Sequence, residues 1–389
     1  MEGISIKRWL TNVTKTVYLT GIRFRSRKNV PFHQNIIFLL SFPSTSEIIL
    51  ENLYQEYNNN LIICYTRNGS TSAKQYQKKG CSIYSIDNYA TLLTSIVPLV
   101  KGAKIVLCDN YYAFLSSIDF REETKNIQLW HANGAIKRFG LEAPYAKKSS
   151  PKDQARYQAV YQTWTHYMVS SNKMKTIFEK NYRVKVNSLN FGYPATDVYF
   201  DKRWVDESLI AFQEKFPTSK KILLYAPTYR EGKTKFSNEF YQKVKELQKD
   251  WLVFIKYHPH EEERLKELAK DPSIIIDFKG LTLQQILPSV DCLVTDYSSI
   301  PFEYSLANSE GKIVFYCYDY VEYDQKVGIE EDFTQWAPGE IVYDSKALVL
   351  AINAKKSTTF SKFNQEWNQY VSGNANKQLI EWVKKNNET

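Results

Sequence analysis

The chain has 389 residues, 43% of them apolar and 24% charged, with a net charge of +9; this composition excludes a disordered or collagen-like chain and suits about two domains. The positive balance fits an anionic partner such as nucleic acid, a phospholipid surface or a phosphorylated substrate. No apolar run is long enough to span a bilayer, the start lacks a secretory leader pattern, and the five cysteines form no close pair, so Cys64, Cys81, Cys108, Cys292 and Cys317 read as reduced core residues of a cytosolic protein.

Residues 1–30 are basic. Lys7, Arg8, Lys15, Arg23, Arg25, Arg27 and Lys28 face a single acid, Glu2, and Trp9, Leu10, Val13, Val17, Tyr18 and Leu19 lie among them. The mixture predicts an amphipathic helix. It either rests on an anionic membrane surface or packs on the protein with a solvated basic face.

Residues 31–197 alternate strand and helix. NIIFLLS, LIICYT, CSIYSI, KIVLCD and NIQLW are short apolar runs rich in β-branched residues, with helical spacing over Ser44–Tyr57 and Tyr89–Val100. That alternation predicts a parallel sheet with helices on both faces, a Rossmann-like domain. The last of these runs leads into QLWHANGAIKRFG. His131 stands where the strand stops, and strand carboxyl ends are where open α/β sheets bind ligands. A neutral imidazole there can take a proton from a hydroxyl; the alternative is a structural histidine. Asn133 and Gly134 permit an unusual turn, and Lys137 and Arg138 are expected to charge the start of a following helix.

Further on, Ser150, Pro151 and Asp153 mark a helix start. Tyr157, Val160, Tyr161 and Trp164 then share one face, for the core or for a membrane. His166 reads as structural. Asn190–Asp197, with Gly192 and Pro194, is a candidate hinge.

Residues 198–362 repeat the alternation. KILLYAPTYRE runs from a strand into a turn with Pro227, Thr228 and Arg230, the last a fork-shaped donor suited to phosphate oxygens. WLVFIKYHPH ends in His258, with Pro259 and three glutamates opening the next helix; His260 reads as solvated beside those acids. DCLVTDYSSIPFEYSL places Ser298 and Ser299 at a helix start, either a phosphate seat or a plain cap. Asp296 has no obvious partner, so a metal is weakly supported. Neither a P-loop nor a dinucleotide glycine motif is present. Residues 363–389 suffice for one or two terminal helices.

The ordered set WHANGAIKRFG, FGYPATD, APTYRE, KYHPH and TDYSS resembles the CDP-glycerol glycerophosphotransferases of Gram-positive wall teichoic acid synthesis, over about residues 100–335. The first motif is nearer the primases, which look like W-H-A-S-G-A-L-K, than the polymerases, which usually read W-H-G-T-P-L-K. Asn133 replaces the primase serine, and Ala195 stands where the family often has arginine. The resemblance implies a GT-B-like α/β fold, two Rossmann-like domains facing each other across a cleft, and peripheral attachment to the cytoplasmic face of the membrane. It implies glycerol-phosphate transfer from CDP-glycerol to an undecaprenyl-diphosphate-linked disaccharide; no cofactor is expected, fixed donors demand no metal, and charge spread along the chain without a recognition motif argues against nucleic acid. The implied catalytic residues are His131 as base and His258. The implied substrate contacts are Asn133, Gly134, Lys137, Pro227, Thr228, Arg230, Asp296, Ser298 and Ser299. Three alternatives stand beside this reading. One is a chain-extending glycerophosphate transferase. Another is a sugar-nucleotide GT-B enzyme using Glu303 to hold ribose. The third is a non-catalytic membrane- or polymer-binding protein.

Overall fold

The computed structural model describes residues 2–228, 230, 243, 246–256, 274–355 and 359–388, with residues 2–10 described by their backbone alone. Two parallel sheets organise them. The first has seven strands in the order β3-β2-β1-β4-β5-β6-β7. These are β1 (His33–Leu40), β2 (Leu61–Tyr65), β3 (Ser82–Ser85), β4 (Ala103–Cys108), β5 (Lys125–Gln128), β6 (His166–Met168) and β7 (Ser188–Leu189). The second has six, in the order β10-β9-β8-β11-β12-β13. These are β8 (Lys221–Ala226), β9 (Trp251–Ile255), β10 (Ile274–Ile275), β11 (Cys292–Thr295), β12 (Lys312–Tyr316) and β13 (Glu340–Val342).

The central strands are apolar on both faces because helices cover both sides, as parallel sheets require. Ile36 to Leu40 on β1 are fully buried, and so are Ile105, Val106 and Leu107 on β4. Strand order reverses between β1 and β4 in one sheet and between β8 and β11 in the other. The crevice at such a reversal is the natural ligand position. It is lined by the loops after these strands, and those loops carry most of the motif residues.

Two sequence expectations resolve into packing. Ser150 Oγ accepts from the Asp153 amide at 3.1 Å and caps the helix Pro151–Tyr161, with proline in the first turn. Its aromatic face goes to the core: Tyr161 stacks on Tyr182 at 4.1 Å and lies beside Trp164 at 5.8 Å. The N-terminal helix, Glu2–Ser26, docks one face on the protein. Arg156 donates to Asn12 Oδ1 at 3.0 Å and to Thr16 Oγ1 at 2.7 Å, and Ile22 is fully buried. The same helix leaves Val13, Val17 and Phe24 exposed, at 39%, 64% and 69%. Steps of four and seven residues put all three on one stripe.

The tail crosses back to the first sheet. In the helix Ala375–Glu388, Ala375, Leu379 and Val383 are buried with Ile36, Phe38 and Ile105. The carboxylate of Asp197 accepts from the amides of Ala375 at 3.1 Å and Asn376 at 2.8 Å, a favourable place for negative charge at a helix start. The five cysteines are free and buried. Among the described residues no helix is long and apolar enough to cross a membrane.

Candidate active site

His131 is placed by the ends of β4 and β5. Leu129 still bonds β4, donating to Cys108 O at 2.8 Å. Trp130 then adopts φ +66, and its amide donates to its neighbour Gln128 Oε1 at 2.8 Å. A bulky side chain at positive φ is strained and persists only where the surroundings hold it. Here the indole packs on Phe139 at 4.7 Å and against Phe178 at 5.4 Å.

The imidazole of His131 stacks on Phe42, with centroids 3.8 Å apart and rings 8° from parallel. Its Nδ1 lies 2.9 Å from the carbonyl oxygen of Asp109. A carbonyl only accepts, so Nδ1 carries the proton and Nε2 is left with its lone pair. Burial pushes the pKa down to about 4, opposed by the bond to Asp109 and aided by the charge of Lys137. The ring is therefore neutral at physiological pH, the form a general base needs.

Asp109 also fixes the other side of the ring. Its buried carboxylate accepts from the amides of Ser41 at 2.8 Å and Phe42 at 2.7 Å, and from the Tyr112 hydroxyl at 2.7 Å. Burial raises its pKa and these donors pull it back.

Residues 131–138 do not begin a helix, contrary to the sequence expectation. Their backbone groups are taken by the second lobe instead. Arg138 N donates to Gly328 O at 3.0 Å, Glu330 N to Ile136 O at 2.8 Å, and Lys137 pairs with Ile329 in an antiparallel bridge. Gly134 sits at φ +71 with its Cα against the Phe302 ring, where any Cβ would clash. Asn133, expected at the substrate, is not among the residues that line the cavity shared by the two lobes. It is 1% exposed and its Nδ2 donates to Asn368 Oδ1 at 2.8 Å, inside the seam between lobes.

On the second lobe the loops after β8 and β11 are locked together. Asp296 is 1% exposed. It accepts from Thr228 N at 2.8 Å, Thr228 Oγ1 at 2.6 Å, Tyr297 N at 2.6 Å and Arg230 Nη2 at 2.8 Å. Arg230 also forks onto Asp319, Nε to Oδ2 at 2.8 Å and Nη2 to Oδ1 at 3.2 Å, and gives Nη1 to Thr228 O at 2.7 Å. Tyr323 covers its face, centroid 4.4 Å away. The structure thus places Arg230 and Asp296 against each other beneath Thr228. Both hydrogen-bond to Thr228, Asp296 at its amide and hydroxyl and Arg230 at its carbonyl.

Ser298 and Ser299 precede the helix Ile300–Ala307, and Ser298 Oγ accepts from Ile300 N at 3.3 Å. Pro301 in the first turn has no N–H, so this terminus offers fewer donors than an ordinary one. His258, with Pro259 and His260, lies outside the described residues.

One cavity of about 810 Å³ joins the two lobes. The first lobe contributes His131, Gly134 and Lys137; the second contributes Pro227, Thr228, Ser298, Ser299 and Lys256. The chemistry this brings together is a neutral base facing a helix start and two ammonium groups. Sequence reasoning missed Phe42, Asp109 and Lys256. Asp109 left a trace, an acid directly after the apolar run of β4, and Lys256 stood within the KYHPH stretch already singled out.

Two parallel-sheet lobes joined at such a cavity define a GT-B-like enzyme. The likeness of shape agrees. The wall teichoic acid polymerase TagF superposes with a TM-score of 0.74 at 18% identity, covering 100% of this chain and 99% of that one. The family model for CDP-glycerol:poly(glycerophosphate) glycerophosphotransferases matches residues 22–385. The chain belongs to that family and is a CDP-glycerol glycerophosphotransferase. It is 32% identical to the teichoic acid glycerol-phosphate primase of Bacillus subtilis (strain 168) over 376 residues, 94% of this chain and 95% of that protein. The teichoic acid glycerol-phosphate primase of Staphylococcus aureus (strain NCTC 8325 / PS 47) is 27% identical over 90% of this chain and 91% of its own length.

Proposed function

We propose that the enzyme transfers glycerol phosphate from CDP-glycerol to a hydroxyl of an undecaprenyl-diphosphate-linked disaccharide and releases CMP, the priming step of wall teichoic acid synthesis. The observation that carries this reading is the shared cavity, on which His131 and the start of the helix Ile300–Ala307 both open. The near full-length match to glycerol-phosphate primases favours priming over extension.

In this mechanism the donor diphosphate lies at Ser298 and Ser299 beside Thr228 and Pro227. The acceptor hydroxyl approaches His131 Nε2. Its oxygen attacks the glycerol-bearing phosphorus, its proton passes to Nε2, and the bond to the bridging oxygen breaks with the electron pair leaving on CMP. Charge developing on the phosphates is met by the helix start and nearby cations, the main task in phosphoryl transfer. His258 is assigned to the donor phosphates by the family resemblance. The lipid-linked acceptor is met at the cytoplasmic membrane surface, where the exposed stripe Val13, Val17 and Phe24 with Arg23, Arg25, Arg27 and Lys28 supports peripheral attachment.

Mass spectrometry of the product made from CDP-glycerol and a synthetic undecaprenyl-type disaccharide tests the reading. One added unit is expected. A ladder of products means chain extension instead.

A further inference from the structure

The cations around the cavity fall into two groups. Arg230 is committed to Asp296 and Asp319, and Arg138 reaches Glu331 at 3.7 Å. Lys137 and Lys256 line the cavity, and among the described residues neither ammonium makes an ion pair or hydrogen bond. Lys137 reaches across from the first lobe into the field of Asp296 and Arg230. Lys256 comes from the second. Its amide donates to Tyr225 O at 2.9 Å, which carries the β8–β9 ladder one step past β9 and fixes where the side chain leaves the sheet.

Lys256 is exposed and lines the cavity. Burial lowers its pKa, and Glu303 pulls it back. Glu303 sits in the first turn of the helix Ile300–Ala307, and its own pKa is raised to about 7 by burial against the opposing pull of Lys256. The two interact beyond ion-pair distance. An ammonium whose neighbouring carboxylate lies beyond ion-pair distance keeps its donors for something else. The neighbouring helix start has lost one N–H to Pro301, so a diphosphate there needs cationic partners.

We infer that Lys256 is a ligand of the donor diphosphate, gripping phosphate oxygens from the second lobe while Lys137 faces it from the first. The inference rests on the reading of a nucleoside-diphosphate donor given above. It assigns the direct cationic contact to Lys256, where the sequence had pointed to Arg230. A cation at this place also meets the negative charge that passes to the leaving nucleotide phosphate.

The test is calorimetric binding of CDP and of cytidine to the full chain and to Lys256→Met. The wild type should prefer CDP over cytidine. Lys256→Met should narrow that preference about tenfold, the worth of one charge-assisted contact, with cytidine affinity unchanged; cytidine binding thus reports that the fold is intact. Lys256→Gln, read the same way, serves if the methionine variant does not fold. Either variant keeping the wild-type preference overturns the assignment of Lys256. A wild type with no preference for CDP overturns the donor reading itself, and the assignment with it.

Discussion

The Nδ1–H of His131 donates to the carbonyl oxygen of Asp109 at 2.9 Å, while the carboxylate of the same Asp109 accepts from the amide of Phe42, the ring stacked on that imidazole. One residue thus sets the tautomer of the base through its backbone and its resting plane through its side chain. Asp109→Asn keeps the carbonyl but turns one acceptor toward donors as an NH₂ group. Stability should fall by about 1–3 kcal/mol, and kcat should fall while KM for CDP-glycerol holds. Thermal melting and steady-state kinetics check both; a raised KM with normal kcat would contradict the positioning role.

The loop 131–138 is the seam of the molecule, so Gly134 bears on how the lobes fit. Gly134→Ala places a Cβ in the Phe302 ring and strains a backbone at φ +71. The φ term alone costs about 1–2 kcal/mol, and the clash adds to it. A clear drop in Tm with loss of activity is expected. Unchanged Tm would mean that the lobes do not meet at this glycine.

Arg230 is committed to two carboxylates, which separates stability from substrate affinity. Arg230→Met leaves Asp296 buried without its counter-ion, and breaking such a pair costs about 3–5 kcal/mol. Chemical denaturation should show that loss. A variant of wild-type stability with weakened donor binding would restore Arg230 as a direct phosphate ligand.

Burial holds the pKa of His131 near 4, below the ordinary 6.5. The folded form therefore binds fewer protons than the unfolded chain between these values. The stability that comes from keeping the ring neutral is fully present above about 6.5 and is lost as pH falls toward 4. His33 and His166 are shifted the same way by burial. Denaturation between pH 7 and pH 4 should show His131→Asn losing less stability than the wild type. Parallel curves would contradict the buried neutral ring.

The exposed stripe of the N-terminal helix gives a membrane test. Val17→Asp with Phe24→Asp should abolish sedimentation with vesicles containing anionic phosphatidylglycerol. Turnover of a short-chain, water-soluble acceptor should be unaffected. Retained vesicle binding would move the attachment elsewhere on the chain.

Much of this was legible in the residues. Strands such as Ile36–Leu40 and Ile105–Leu107 announced a doubly covered parallel sheet, because nothing else buries so continuous an apolar run. β7, β10 and β13 did not, since two or three residues carry no period. That Lys137 and Ser298 line one cavity agrees with the strand end and the helix start read from their local signatures. The partners of Asn133, Arg230 and Asp296 were not legible. A side chain that reaches for a ligand and one that reaches for another lobe are the same letters, and Asn368 and Asp319 lie far away in sequence. Asp109 was missed for the same reason: it acts on His131 from a different strand.

The most direct measurement is turnover and donor binding by His131→Ala. The account predicts a loss of kcat by a factor of about 10² to 10⁴, as for removal of a general base, with the dissociation constant of CDP-glycerol unchanged. Near-normal turnover would remove His131 as the proton acceptor and contradict the mechanism.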